Sequence, residues 1–167
     1  MLDIESKRQN IFINKVTSWK FLFFLLYHLP MALLAGLKVK KLSNSIAEVT
    51  VPYNFLNKNP FNSIYFAVLT MAAEFSTGIL SLMHIYKKDK KISMLVVKID
   101  SNFYKKATSK VRFICSNGDE ISQSIDKCIK SKKGEIVKVN SKGFDSKGVC
   151  VAEFNFTWSF KLKNIKI

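Results

Sequence analysis

Apolar and polar residues follow one another in three different rhythms along this chain. In residues 4–27, Ile11, Ile13, Val16, Trp19, Phe23 and Leu26 are spaced among Lys7, Arg8, Asn14, Lys15 and Lys20. This is a helical pattern, which Pro30 ends or kinks. The run FLFFLLYHLPMALLAGL, residues 21–37, is seventeen residues long, at the low limit for a membrane span, and His28 and Pro30 interrupt it. It predicts a docked helix followed by a second short one. A span, or interfacial attachment with Lys15 and Lys20 on the flank, is the alternative.

Period-two patterns mark the strands. Residues 37–42 and 46–52 form two short runs around Ser43, Asn44 and Ser45, the second with Ile46, Glu48 and Thr50 set against Ala47, Val49 and Val51. Residues 92–100 read as a mostly buried strand continuing toward Tyr104, and residues 109–115 alternate Val111, Phe113 and Cys115 against Lys110, Arg112 and Ile114. Residues 134–141 and 149–163 predict a hairpin around residues 142–147. Its second strand places Cys150, Ala152, Phe154, Phe156, Trp158, Phe160 and Leu162 on one face. Between these pairs, residues 117–130 predict an amphipathic helix with Ile121, Ile125, Cys128 and Ile129 inward, Asp119 and Glu120 in its first turn, lysines at its end and Gly134 after it.

The third rhythm is an apolar block. NPFNSIYFAVLTMAAEFSTGILSLMHIY, residues 59–86, carries one formal charge, Glu74. After the irregular YNFLNKNP it predicts a helix over residues 61–85, with Pro60 at its boundary. Ser63, Thr70, Glu74, Thr77 and Ser81 follow at spacings of seven, four, three and four, with Ala67 in the gap, which is one seam of a helix. Ile64, Val68, Met71, Phe75, Ile79 and Leu82 lie opposite. A lipid-facing span has no need of such a seam. A helix with a sheet on one side and a polar interface on the other does. The class is α+β, with five to six antiparallel strands curled around one long helix: an N-terminal helical segment, residues 1–36, and the main domain, residues 37–167.

Composition narrows the partners. At 167 residues, 48% hydrophobic and 13% aromatic, the chain is a folded domain with a real core. The net charge of +15 is concentrated after Tyr86, where 19 Lys and Arg face 8 Asp and Glu, against 8 and 4 before it. Solvated surface is the default reading of these lysines. Coenzyme phosphates, an acidic carrier protein, a membrane surface or nucleic acid are the anionic alternatives. Cys115, Cys128 and Cys150 are odd in number and lack CxxC spacing, and His28 and His84 add no metal-ligand pattern, so neither metal nor cofactor is expected. Asp3 and Glu5 near the start argue against a secretory signal and for a cytoplasmic or membrane-peripheral protein.

The stretches NKNPFNSIYFAVLTMAAEFSTG, KKATSKVRFICSNGDEISQSI and VNSKGFDSKGVCVAEFNFTWSFK resemble an uncharacterised branch of the hotdog-fold superfamily, related to PaaI-like acyl-CoA thioesterases and to the C-terminal domain of YiiD-type proteins. The resemblance covers residues 37–162. It implies a hotdog fold, a sheet wrapped around a central helix, in homodimers or tetramers built from them, with acyl thioesters bound at the dimer interface. PaaI-like relatives start that helix with a His-Gly-Gly turn and place a carboxylate nine residues after the His. Glu74 matches the carboxylate, but Tyr65 stands at the His position and Phe66 and Ala67 at the glycines.

The expected activity is therefore thioesterase-like hydrolysis of an acyl-CoA or acyl-carrier thioester. Glu74 is the expected base or nucleophile, and Tyr65, Phe66 and Ala67 are placed at the oxyanion site. Asn57 or Asn59 is expected to position water or the carbonyl; Thr70 or Thr77 to orient the carboxylate; Ser63 to contact substrate. Each has a structural alternative: turn or cap for the asparagines, an interface hydrogen bond for Glu74. Glu74 lies on the order of 13 Å along the helix from its first turn, so one subunit does not easily supply both groups. Non-catalytic acyl or lipid binding on the same fold, and a basic peripheral membrane protein, are the alternative functions. No nucleic acid is expected, although NFYKKATSKVRF interleaves basic and aromatic residues.

Overall fold

A computed structural model describes residues 2–86, 88 and 90–163. The N-terminal segment is α1 (Leu2–Thr17), α2 (Phe21–His28) and α3 (Pro30–Leu34). The single helix expected over residues 4–27 is thus two: the chain breaks at Ser18, whose hydroxyl accepts the N–H of Lys20 at 3.3 Å and offers the backbone an alternative to helix. Pro30 opens α3, where its missing N–H costs nothing.

Six strands follow: β1 (Lys38–Leu42), β2 (Ala47–Val51), β3 (Ile92–Phe103), β4 (Val111–Cys115), β5 (Glu135–Phe144) and β6 (Cys150–Leu162). They form one antiparallel sheet in the order β1-β2-β4-β5-β6-β3. From Phe154 to Phe160 the alternation in β6 is realised as read: Phe154, Phe156, Trp158 and Phe160 are buried while Asn155, Thr157 and Ser159 are less so; Val151, read as outward, is also fully buried. Each enclosed Phe contributes about 1.5–3 kcal/mol of apolar burial.

β3 meets β6 with a register shift between Val96 and Lys98. Val96 pairs with Trp158, and after the extra residue Ile99 pairs with Phe156. Directly opposed residues share a face, so the bulge returns Ile99 and Phe103 to the inner side and keeps Lys98 and Asp100 off it. Period two alone would have turned those charges inward.

α4 (Phe66–Ile85) packs across the inner faces of β2, β4, β5 and β6, and α5 (Gly118–Ser131) lies beside it against β5 and β6. α5 buries Ile121, Ile125 and Cys128, as its period predicts, and Gly118 sits against the backbone of Asn44 and Ser45 where no side chain fits. By length and composition α4 is the one helix among the described residues able to cross a membrane, yet most of it is buried within the protein. α1 packs on α4 and β1.

Candidate functional site

The central helix starts five residues later than its apolar pattern predicts, and the reason builds the site. Asn59 Oδ1 accepts the N–H of Phe61 at 3.0 Å, the N–H of Ser63 at 3.2 Å and the Ser63 hydroxyl at 3.2 Å. Those donors are withdrawn from any helix over residues 60–64, and Asn62 adopts φ 56°. The N–H of Ile64 goes to Ala107 O and that of Tyr65 to Asn57 O, both at 2.8 Å. Tyr65 is left as the cap in extended conformation. Its carbonyl takes the N–H of Val68 at 3.0 Å and of Leu69 at 3.2 Å. The N–H groups of Phe66 and Ala67 are the first two of the helix and have no intrahelical acceptor.

Asn57 was expected near substrate; it is instead an enclosed tie, 1% exposed. Its side-chain N–H groups donate to Ala35 O at 2.8 Å and Pro52 O at 2.9 Å. One amide thereby joins the residue after α3, the end of β2 and the start of α4.

A cavity of about 620 Å³ lies at this helix start. It brings together Asn59, Ser63, Tyr65 and Phe66 from the predicted set with Phe103, Tyr104, Lys105 and Lys106. Phe103 stands edge-on to Phe66, ring centroids 6.3 Å apart. The mixture of basic and aromatic residues over 102–113 was the signal for this second wall, but it is equally the signature of nucleic-acid contact. Only the fold shows that it faces α4.

The polar seam divides. Thr77 and Ser81 are fully buried. Thr77 donates to the Glu74 carbonyl at 2.9 Å and accepts the indole N–H of Trp158 at 3.0 Å; Ser81 donates to Thr77 O at 2.9 Å. Thr70 donates to Phe66 O at 2.9 Å. Neither threonine orients the Glu74 carboxylate, contrary to expectation, because each hydroxyl is already spent on its own helix. Ser63 lies outside the helix altogether. The uncovered stripe of α4 is Ala67, Thr70, Met71 and Glu74, none of them fully buried; Met71, expected on the opposite side, shares this face because it lies one turn from both Ala67 and Glu74.

Within that stripe Glu74 has no hydrogen-bond or ion-pair partner among the described residues. Burial pushes its carboxyl up to about 6. A group poised there takes or gives a proton near neutral pH. Burial likewise raises Cys115 to about 11, which leaves it an unreactive thiol.

No curated protein matches this sequence. Solved structures do match in fold. A Pseudomonas aeruginosa protein of unknown function, described as a probable thioesterase, superposes with TM-score 0.74 at 17% identity, over 87% of this chain and 97% of that one. A thioesterase from Haemophilus influenzae gives 0.61 at 14%, over 85% and 90%. The E. coli PaaI protein from the phenylacetic acid degradation operon gives 0.60 at 11%, over 84% and 90%. The six-stranded sheet around α4 is the hotdog fold these proteins share. Residues 17–160 match a family defined by sequence, and the chain belongs to it: DUF4442, a domain of unknown function.

Proposed function

We propose that the protein is a homodimeric hydrolase of acyl-CoA or acyl-carrier thioesters in which Glu74 of one subunit works beside the start of α4 of the other. The observation that carries this reading is a carboxylate of raised pKa, without a partner among the described residues, on the open stripe of a central helix whose first N–H groups have no intrahelical acceptor. Glu74 takes a proton from water, and the resulting hydroxide adds to the thioester carbonyl. The N–H groups of Phe66 and Ala67 hold the oxyanion, and its collapse expels the thiolate, which recovers the proton. The products are a carboxylic acid and a thiol.

The edge of the sheet supports the dimer. The sheet ends at β3, twelve residues long, with Leu95 65% and Val97 52% exposed, and a long apolar edge of this kind calls for a partner strand. Pairing there sets two central helices side by side, which brings a carboxylate to the opposite helix start. Lys105 and Lys106 at the cavity suit the phosphates of a coenzyme or an acidic carrier. The test is thiol release from acyl-CoAs of graded chain length. Glu74→Ala lowers turnover by about 10²–10⁴-fold; unchanged turnover overturns the assignment.

A second reading rests on the N-terminal helices. Nine large apolar side chains between residues 19 and 34 are exposed, Tyr27 by 83% and Trp19 by 67%, with Lys15 and Lys20 beside them. That is the composition of an interfacial membrane contact. Sedimentation with anionic vesicles tests it: binding that survives Leu22→Glu with Leu26→Glu dismisses it.

A further inference from the structure

A second cavity, of about 800 Å³, lies toward the C-terminal end of α4, where Ile79, Leu82 and Ile85 line it, and shares no residue with the cavity at the helix start. The break at residues 18–20 separates α1 from α2, and the cavity is lined by both of these helices and by α4. Phe12 and Val16 of α1, Phe21 and Phe24 of α2, and Ile79 and Leu82 of α4 form its walls. Phe21 is held in place by stacking, with ring centroids 5.3 Å from Phe24 and 6.5 Å from Phe75. The volume falls in the range of about 300–1,000 Å³ found for sites of small ligands, and the composition is of the same kind, apolar walls with few polar groups.

Those polar groups carry one sign of charge. Lys15 and Lys20 line the cavity, both exposed, and among the described residues no acidic side chain does. The Lys15 ammonium stands 5.4 Å above the ring of Tyr86, which also lines the space. An apolar interior with two cations beside it matches a single alkyl chain ending in an anionic head.

We propose that this cavity binds one long-chain anionic amphiphile, its alkyl chain between α1, α2 and α4 and its head at Lys15 and Lys20. The site is separate from the one at the start of α4 and stands whether or not that one hydrolyses thioesters.

The experiment is calorimetric titration of delipidated full-length protein with hexadecanoate and its shorter homologues. One molecule binds per chain, and each methylene removed weakens binding about fourfold. Hexadecyl phosphate compares the heads: equal affinity assigns the site to anionic amphiphiles in general, weaker affinity to carboxylates. Leu82→Trp fills the cavity and abolishes binding. Lys15→Glu with Lys20→Glu changes only exposed side chains, so it stays informative even where the tryptophan variant unfolds. It weakens hexadecanoate about tenfold or more and leaves hexadecanol unchanged. Glu74→Gln retains binding, which separates this site from the proposed catalytic one. Failure of hexadecanoate to bind, undiminished binding to Leu82→Trp, or equal loss of acid and alcohol in the lysine variant overturns the proposal.

Discussion

The carboxylate of Glu74 folds back over Gly78: its Oε1 lies 3.1 Å from the point a β-carbon at residue 78 would occupy, with Cζ2 of Trp158 3.6 Å from the same point. A mid-helix glycine costs about 1 kcal/mol relative to alanine, so the fold gives up helix stability where the carboxylate needs room. In Gly78→Ala the flexible end of Glu74 swings away. Thermal unfolding should show a gain of about 0.5–1 kcal/mol, while thioester turnover falls. A variant both more stable and fully active would mean that the folded-back position is unimportant.

Ionising Glu74 opposes folding. Its carboxyl titrates at 4.5 unperturbed and at about 6 in the fold. Below 4.5 it is protonated in both states. As pH rises toward 6 the unfolded chain ionises first, so stability is lost across that window and stays lost above it, by up to about 2 kcal/mol. Glu74→Gln should abolish this part of the slope in denaturant titrations between pH 4 and 8 and be the more stable protein at pH 7.5. Turnover by the native protein should rise with an apparent pKa near 6.

Ser76 and Ser141 meet in the core, their hydroxyls 2.8 Å apart and both side chains fully enclosed; Ser76 also donates to Ala73 O at 2.7 Å. Ser76→Ala strands the Ser141 hydroxyl and should cost about 1–3 kcal/mol by urea denaturation. The double replacement Ser76→Ala with Ser141→Ala removes both polar groups and should cost less than the single one. Additive losses would show that the pair is not coupled.

Leu95 lies outward on β3, and Ile99, returned inward by the bulge, is still 46% exposed because α4 does not reach the sheet edge. Leu95→Lys with Ile99→Lys places charge on that edge, a common block to strand pairing. Light scattering should show the proposed dimer replaced by monomer, with the proposed turnover lost together with it. A dimer that persists would place the interface elsewhere.

Strand and helix faces were legible in the chain because they depend on local period. Residues 154–160 alternate so regularly that their inner face follows from sequence, and α5 is as plain. Glu74 stood out as the lone charge in an apolar block, and its pKa then came from burial. What sequence could not supply lay in contacts between distant residues. The start of α4 moved because Asn59 and Asn57 capture N–H and carbonyl groups across a loop. The polar seam divided because Thr77 meets Trp158, 81 residues on, so half of what looked like an interface faces the sheet. A helical period fixes which residues share a face, but the neighbour that covers each face is chosen by packing across the whole chain. The same holds for the cavity beside α4: Phe12, Val16, Phe21, Ile79 and Leu82 read as ordinary apolar positions of their own helices, and only the packing of α1 and α2 on α4 brings them around one space.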